Sequence, residues 1–316
     1  TFIRRFMEKS VLPNMSNNFE KERARDELPL IGQGKIITTT EPKFVPSRPA
    51  ELQIGDNVKF KMRLIDCVGY IVDGAEGITD GDEPRMVNTP WSDKPMPLAA
   101  AALTGTNKVI NDHSTVAIAM TTDGTITDIP RENYVEAEEN IVNELKKSGR
   151  PFVMVLNSAN PYGTETEMLR DELESKYDVP VKTVNCAQLK DDEINDLLES
   201  LLYEFPINEI NINIPRWLEG LDNEHWLKSS VIETLSKLSD STVNLRSVSE
   251  CSSELTDNEY IRKVYIGDIS AGSGEAEIDL VMNDDLFYKV LSETIAIDIK
   301  DDYELISIMK ELSSVM

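Results

Sequence analysis

VKFKMRLIDCVG, residues 58–69, is the stretch on which the fold turns. Val58, Phe60, Met62 and Leu64 alternate with polar residues, the period of a half-buried strand, and the pattern becomes apolar on both faces at Leu64 and Ile65. The strand thus delivers Asp66 to its tip, with Gly69 three residues on. Strand and helix signals then alternate. Val116 to Met120 is a short apolar run of the kind a buried parallel strand shows. A helix is expected from about Glu132 to Lys147, with Tyr134, Ala137, Ile141 and Leu145 on one face and Gly149 as its stop. PFVMVLN (151–157) reads as a buried strand, Thr164 to Lys176 as a helix and VPVKTVNC (179–186) as the next strand. In DDEINDLLESLLYEF (191–205), Ile194, Leu197, Leu198, Leu201 and Leu202 form an apolar helical stripe.

Upstream, TFIRRFMEKSVL (1–12) places Phe2, Ile3, Phe6 and Met7 on one helical face and ends at Pro13. Residues 14–50 are polar, hold two glycines and four prolines, and read as a long loop. Residues 70–107 read as loops with at least one helix, around LAAAAL. Strands separated by helices specify an α/β domain with a mostly parallel sheet, helices on both faces and ligands at the carboxyl ends of the strands. After Phe205-Pro206 the pattern changes to NEININIPRW, a helix near His225 to Leu238, and two strands joined by a Gly/Ser turn before a further helix and an acidic end. The expected organisation is an α/β domain over 1–205 and a smaller α+β domain over 206–316.

With 32 Lys plus Arg against 57 Asp plus Glu, the 316-residue chain carries a net charge of −25. That field repels phosphate backbones and anionic lipid, which argues against nucleic-acid binding and against direct electrostatic membrane binding. No run approaches ~20 apolar residues and the amino end lacks a secretory signal, so a cytosolic protein without a direct transmembrane segment is expected. Three widely spaced cysteines and two histidines support neither a disulfide framework nor a zinc cluster.

An Asp at the tip of an apolar strand with Gly three residues on is how P-loop nucleoside triphosphatases hold Mg²⁺ through water, while the Gly lets its backbone N–H approach the terminal phosphate. D-x-x-G alone recurs by chance, and a simple strand exit accounts for it; its position adds weight. In the preceding loop, Thr38, Thr39 and Thr40 stand before Glu41-Pro42. Hydrolysing P-loop enzymes place a threonine there to reach Mg²⁺ and report on the terminal phosphate. A β-prone edge strand would explain three threonines equally well, but the order helix, Thr loop, D-x-x-G strand, helix, strand is that of the GTPase-like branch. The strand 151–157 ends in Asn157-Ser158-Ala159-Asn160, where GTPases carry N-K-x-D. The carboxylate that accepts from both guanine N–H groups is replaced, which favours another base, most simply adenine; Asn157 capping a turn fits the four residues as well. Phosphate loops read G-x-x-x-x-G-K-[ST] and run into a helix, and the chain opens on such a helix at Thr1. Residues 1–205 therefore read as a P-loop domain lacking its phosphate-binding loop, a form expected to bind nucleotide poorly. Thr121-Thr122-Asp123-Gly124 reads as a tight turn at a possible site edge, and Ala271 to Gly274 as a plain turn.

FMEKSVLPN, RARDELP, TTEPKFVP, RLIDCVGY, PRMVNTPW, TTDGTI, VEAEE, NSANPY, LYEFP and INIPRW followed by HWL occur in this order. The set resembles the stage IV sporulation protein A family, spore coat morphogenetic ATPases of endospore-forming bacteria, over almost the whole chain. The resemblance implies a protein of the GTPase-like lineage that binds and hydrolyses ATP with Mg²⁺ and uses hydrolysis to drive its own polymerisation. It implies a basement layer for coat assembly on the mother-cell side of the forespore outer membrane, in the cytoplasm and peripheral to that membrane. Implied partners are further copies of the chain, the small amphipathic membrane peptide stage V sporulation protein M and the coat protein stage VI sporulation protein D. Carried onto this sequence, the magnesium-site aspartate falls on Asp66 and the paired sensor threonines on Thr39 and Thr40, with Thr39 also a metal contact. The P-loop reading adds Thr1, Gly69 and Asn157 as nucleotide contacts. The phosphate-loop Lys and Ser have no counterpart here, and family members continue beyond Met316. The alternative expectation is a scaffold that binds nucleotide without hydrolysing it, since Tyr70 and Ile71 stand where a water-orienting side chain would follow the D-x-x-G.

Overall fold

Phe2, Phe6, Met7, Val11 and Leu12 bury themselves together because the helical period of the first residues is realised. Helix α1 (Phe2–Phe6) runs directly into a π-helical turn over Met7–Val11, and Pro13 follows. The computed structural model describes residues 1–15, 17–29, 37, 42–54, 58–81, 83–241, 244–270 and 273–315, and divides into two units, Thr1–Leu201 and Leu202–Met316.

Residues 14–50 are not one loop. They contain α2 (Asn18–Asp26), whose cap residue Asn17 accepts from the Phe19 and Glu20 amides, and the start of β1 (Lys43–Ile54). Both escape pattern reading for physical reasons. Helix α2 buries only Ala24, so it has no apolar stripe, and β1 carries Pro46 and Pro49, which cannot donate to a ladder. Strand β1 pairs antiparallel with β2 (Val58–Asp66), Lys43 facing Asp66, and the register slips between Val45 and Ala50, where the prolines lie. Residues 70–107 hold short antiparallel ribbons, β3 (Thr79–Asp80) with β4 (Glu83–Pro84) and β5 (Met86–Thr89) with β6 (Ser92–Pro97), before helix α3 (Leu98–Lys108).

The parallel sheet has three strands in the order β7 (Ala117–Thr122), β8 (Phe152–Asn157), β9 (Val181–Val184). Helices α4 (Val135–Ser148), α5 (Thr164–Tyr177) and α6 (Asp191–Tyr203) follow the strands in turn. Strand β8 is buried on both faces. Val153 and Val155 enter a cluster with Phe6, Val11, Ile194 and Leu197, whereas Met154 and Leu156 enter another with Val142, Leu145, Leu173 and Tyr177. Helices therefore cover both faces of the sheet. Strand β2, expected as part of it, instead pairs with β1 as a separate antiparallel ribbon, and its Met62 and Leu64 pack on the Val153–Val155 side. The register sets Thr122 beside Asn157 and Asn157 beside Val184, so the three strands end level.

The second unit is α+β. Its sheet runs β10 (Glu209–Asn213), β12 (Glu275–Met282), β11 (Ile261–Ser270), with β10 parallel and β11 antiparallel to the central strand. Between β10 and β11 lie α7 (Arg216–Glu219), α8 (Trp226–Ser241), α9 (Leu245–Glu250) and α10 (Ser252–Thr256); α11 (Asp285–Ile295) and α12 (Asp302–Val315) follow β12. Ala276, Ile278, Leu280 and Met282 alternate inward onto Leu227, Val231, Leu286 and Val290. Gly274 turns the β11–β12 hairpin at φ +71°, and a Cβ there would lie 2.8 Å from the Pro206 carbonyl oxygen.

Leu156 is fully buried at the centre of the parallel sheet, so Leu156→Ala should cost about 2–5 kcal/mol through the cavity it leaves. Met168→Ala, at a side chain 68% exposed on α5, should change stability by less than about 0.5 kcal/mol. Chemical denaturation of both variants checks the pair, and equal losses would contradict the burial pattern.

Candidate functional site

Asp66 is the last residue of β2 and is half-buried. Burial raises its carboxyl above the ordinary range, opposed by the positive Thr1 amino group and by Lys43. No described residue donates a hydrogen bond to it. The same Thr1 amino group acts on Cys186, whose thiol burial pushes up to about 12. The leading end of α1 therefore lies within electrostatic reach of both the tip of β2 and the loop after β9. Thr1 is the exposed cap residue of α1, and its side chain makes no capping hydrogen bond.

Gly69 adopts φ +78° with open space where a Cβ would stand, so its requirement is conformational rather than steric. Beyond it, Tyr70, Ile71, Val72 and Asp73 line a cleft of about 370 Å³ together with Asn133 and Glu136. Thr39 and Thr40 lie outside the described residues. Their neighbour Ile37 is placed: its amide donates to the Glu76 carbonyl at 2.9 Å, and Arg85 donates to the carbonyls of Ile37 (3.4 Å) and Gly77 (3.2 Å). The backbone just before the threonines is thereby tied to the segment after Gly69. Sequence reading passed over Arg85, which carries no motif.

Asn157 ends β8, and its Oδ1 accepts from the Cys186 amide at 3.0 Å, joining the ends of β8 and β9. Asn157 is thereby joined to Cys186, the residue on which the Thr1 amino group acts. Ser158 is fully buried; its hydroxyl lies 3.2 Å from that of Thr166 and accepts from the Asn160 amide at 3.0 Å. Its side chain is therefore used inside the fold. Asn160 is exposed, and its side-chain amide stands 2.5 Å from where a Cβ at Gly163 would be.

Asp123, read from sequence as part of a turn, is the hub of this edge. Its Oδ1 accepts from the Thr125 amide (3.0 Å) and hydroxyl (2.6 Å), and its Oδ2 accepts from Thr166 at 3.4 Å. Burial alone would raise its carboxyl, but the hydroxyls of Ser158, Thr125 and Thr166 and the Thr125 amide together bring it below the ordinary value. Thr125 in turn accepts from the Ala159 amide at 2.9 Å, coupling the β7 and β8 loops. Glu138 was also missed. It is buried on α4, takes hydrogen bonds from the Thr121 hydroxyl and from Arg131 at 2.8 Å, and closes the end of β7. The available signal was spacing, since 138, 142 and 145 fall on one helical face, which puts an acid on an apolar stripe.

Among the described residues no group of three or more His, Cys, Asp or Glu could hold a metal. Magnesium does not need one, because it keeps waters and takes one or two carboxylates with substrate phosphates. Asp66 fits that mode: its charge is desolvated, and Lys43, opposite it in the β1–β2 register, is the side-chain cation that offsets it. Among the described residues no helix is long and apolar enough to cross a membrane.

A carboxyl lowered in the folded state stabilises above the unfolded value and loses that contribution as pH falls through the folded value. Asp123→Asn should therefore be less stable than the parent at pH 7. The difference should shrink once pH drops below about 3.8, the ordinary carboxyl value, as followed by denaturant midpoints across pH. A gap independent of pH would mean the charge is irrelevant.

Residues 1–206 match the family model described as "Stage IV sporulation protein A, ATPase domain", and residues 207–316 match "Stage IV sporulation protein A, middle domain". Among curated proteins, Stage IV sporulation protein A of Clostridioides difficile (strain 630) is 46% identical over 315 residues, covering 100% of this chain and 64% of the relative. The protein of the same name from Bacillus subtilis (strain 168) is 43% identical over 313 residues, 99% of this chain and 64% of the relative. The Bacillus anthracis protein is 42% identical with the same coverage. The chain thus spans 64% of the length of these relatives. No solved structure matches. Matched from end to end by the two models and by these relatives, the chain belongs to the stage IV sporulation protein A family.

Proposed function

We propose that this chain is the ATP-hydrolysing and middle part of a self-polymerising scaffold, the basement layer on which the spore coat assembles around the forespore. The observation that carries this reading is Asp66: a desolvated carboxylate at the tip of β2, within reach of Thr1 at the leading end of α1 and three residues before a left-handed Gly69. A P-loop nucleotide site needs a metal-holding acid in that place.

Magnesium, when bound, neutralises charge on the β- and γ-phosphates. Asp66 would hold that ion through its water shell. Gly69 lets its own amide come close to the terminal phosphate, since its φ of +78° is one a side chain would strain. Thr39 and Thr40 would sense that phosphate through their hydroxyls, Thr39 also serving as a metal contact, and Arg85 holds the backbone at Ile37, shortly before them in the chain. Thr1 opens the helix facing the phosphates. Asn157 braces the base-binding edge through Cys186. Copies of the chain are the first partner, with stage V sporulation protein M and stage VI sporulation protein D as further ones. The place of action is the mother-cell cytoplasm, at the forespore outer membrane surface.

A second reading, a nucleotide-binding scaffold without hydrolysis, draws on Tyr70 and Ile71, which supply neither a carboxamide nor an imidazole after the D-x-x-G. In the full-length protein, Asp66→Asn should lower phosphate release from Mg²⁺-ATP by roughly 100-fold or more and abolish ATP-dependent sedimentation, with unchanged circular dichroism. A variant that still hydrolyses and sediments like the parent removes Asp66 from the site; a parent that binds ATP without releasing phosphate favours the second reading. Because Ser158 is used internally and Asn160 offers a single oxygen, ATP should also bind roughly tenfold or more tightly than GTP in competition. Equal affinities would overturn the base assignment.

A further inference from the structure

Helix α12 has an apolar face that is half-buried at Leu305 and Ile308 and open at Met309 and Leu312. Leu305, Ile308, Met309 and Leu312 follow one another at the i, i+3, i+4, i+7 spacing of an apolar seam. Met309 is 61% and Leu312 57% exposed, and Ile306 beside them is 52% exposed. No described residue of α12 belongs to the core of the second unit or packs against it. At the leading turn of the helix Tyr288 meets Asp302 and the Lys300 amide donates to Glu304 at 2.8 Å. Ile295, the last residue of α11, and Ile297, in the connection before α12, are also exposed. An isolated helix of 14 residues is marginal in water, so an apolar seam of this length implies a surface that covers it.

We propose that the seam of α12 docks the region that follows the middle domain in this family. The family model matching residues 207–316 describes a middle domain, which places a further domain on its carboxyl side, and α12 occupies the last residues of that match. The relatives have room for one, since this chain spans 64% of their length. A narrow seam with heptad-like spacing fits an apolar helix face. Charge argues against a second copy of α12 in parallel, because Asp301, Asp302 and Glu304 would meet their equivalents at one end. The inference does not rest on nucleotide hydrolysis.

Hydrogen exchange compared between the full-length protein and residues 1–316, each at two concentrations, tests it. Amides of 302–315 should exchange at least about tenfold more slowly in the full-length protein, independently of concentration. In the full-length protein, Met309→Asp combined with Leu312→Asp should abolish that protection while β11 and β12 stay protected. Tyr303→Asp, off the seam and 80% exposed, should leave it intact. Equal exchange in the two proteins, or protection that appears only on raising concentration, as for pairing between copies, would overturn the proposal.

Discussion

The first unit depends on one strand that has no outer face. In β8, Val153 and Val155 point into a core with α1 and α6, while Met154 and Leu156 point into another with α4 and α5. A strand buried on both sides must pair on both edges to satisfy its backbone, and β7 and β9 do so in parallel. Parallel pairing with level registers brings every strand out at the same edge, which is why Thr122, Asn157 and Val184 end side by side. The site is thus a consequence of packing: a sandwich that buries β8 twice leaves its polar residues only at the strand tips.

Three carboxylates at or near strand tips show how burial sorts charge. Asp123 is met by hydroxyls and an amide, and its acidity is strengthened despite partial burial. Glu138, deeper, is met by the Arg131 guanidinium and the Thr121 hydroxyl, the pairing that a buried acid requires. Asp66 receives no hydrogen bond from any described residue, and burial is the largest influence on it. The first two are finished structures whose lone pairs are used. The third is an acid whose charge the described protein compensates least, which is the electrostatic state a bound cation would relieve.

The parts of this fold legible in sequence are those in which one local pattern decides the outcome. PFVMVLN could be little other than a buried strand, the α4 stripe ends at Gly149 with φ +65°, and the β11–β12 turn carries Gly274 at φ +71°. What was not legible depends on partners distant in the chain. Strand β1 is specified by its pairing with β2 against the signal of two prolines, and α2 by caps rather than by an apolar face. Asp123 looked like a turn residue because Thr166, 43 positions away, is invisible locally. Arg85 looked like surface charge because the carbonyl it holds belongs to residue 37.

The net charge of −25 bears on any assembly of such chains. Two copies approach against their combined field until they are within a Debye length, about 8 Å at physiological ionic strength. A surface acid then gains nothing from meeting another surface acid, so contacts between copies must come from apolar area, from the minority of Lys and Arg, or from cations held in common. Large exposed apolar side chains are few in the second unit outside the segment from Ile295 to Leu312, where Tyr203, Ile232 and Tyr265 are the others among the described residues. If the region that follows the middle domain covers α12, the main apolar surface of that unit is withdrawn from contact between copies. Any contact between copies would then fall to surfaces elsewhere, and a conformational step that exposes or hides the seam would change how strongly copies adhere.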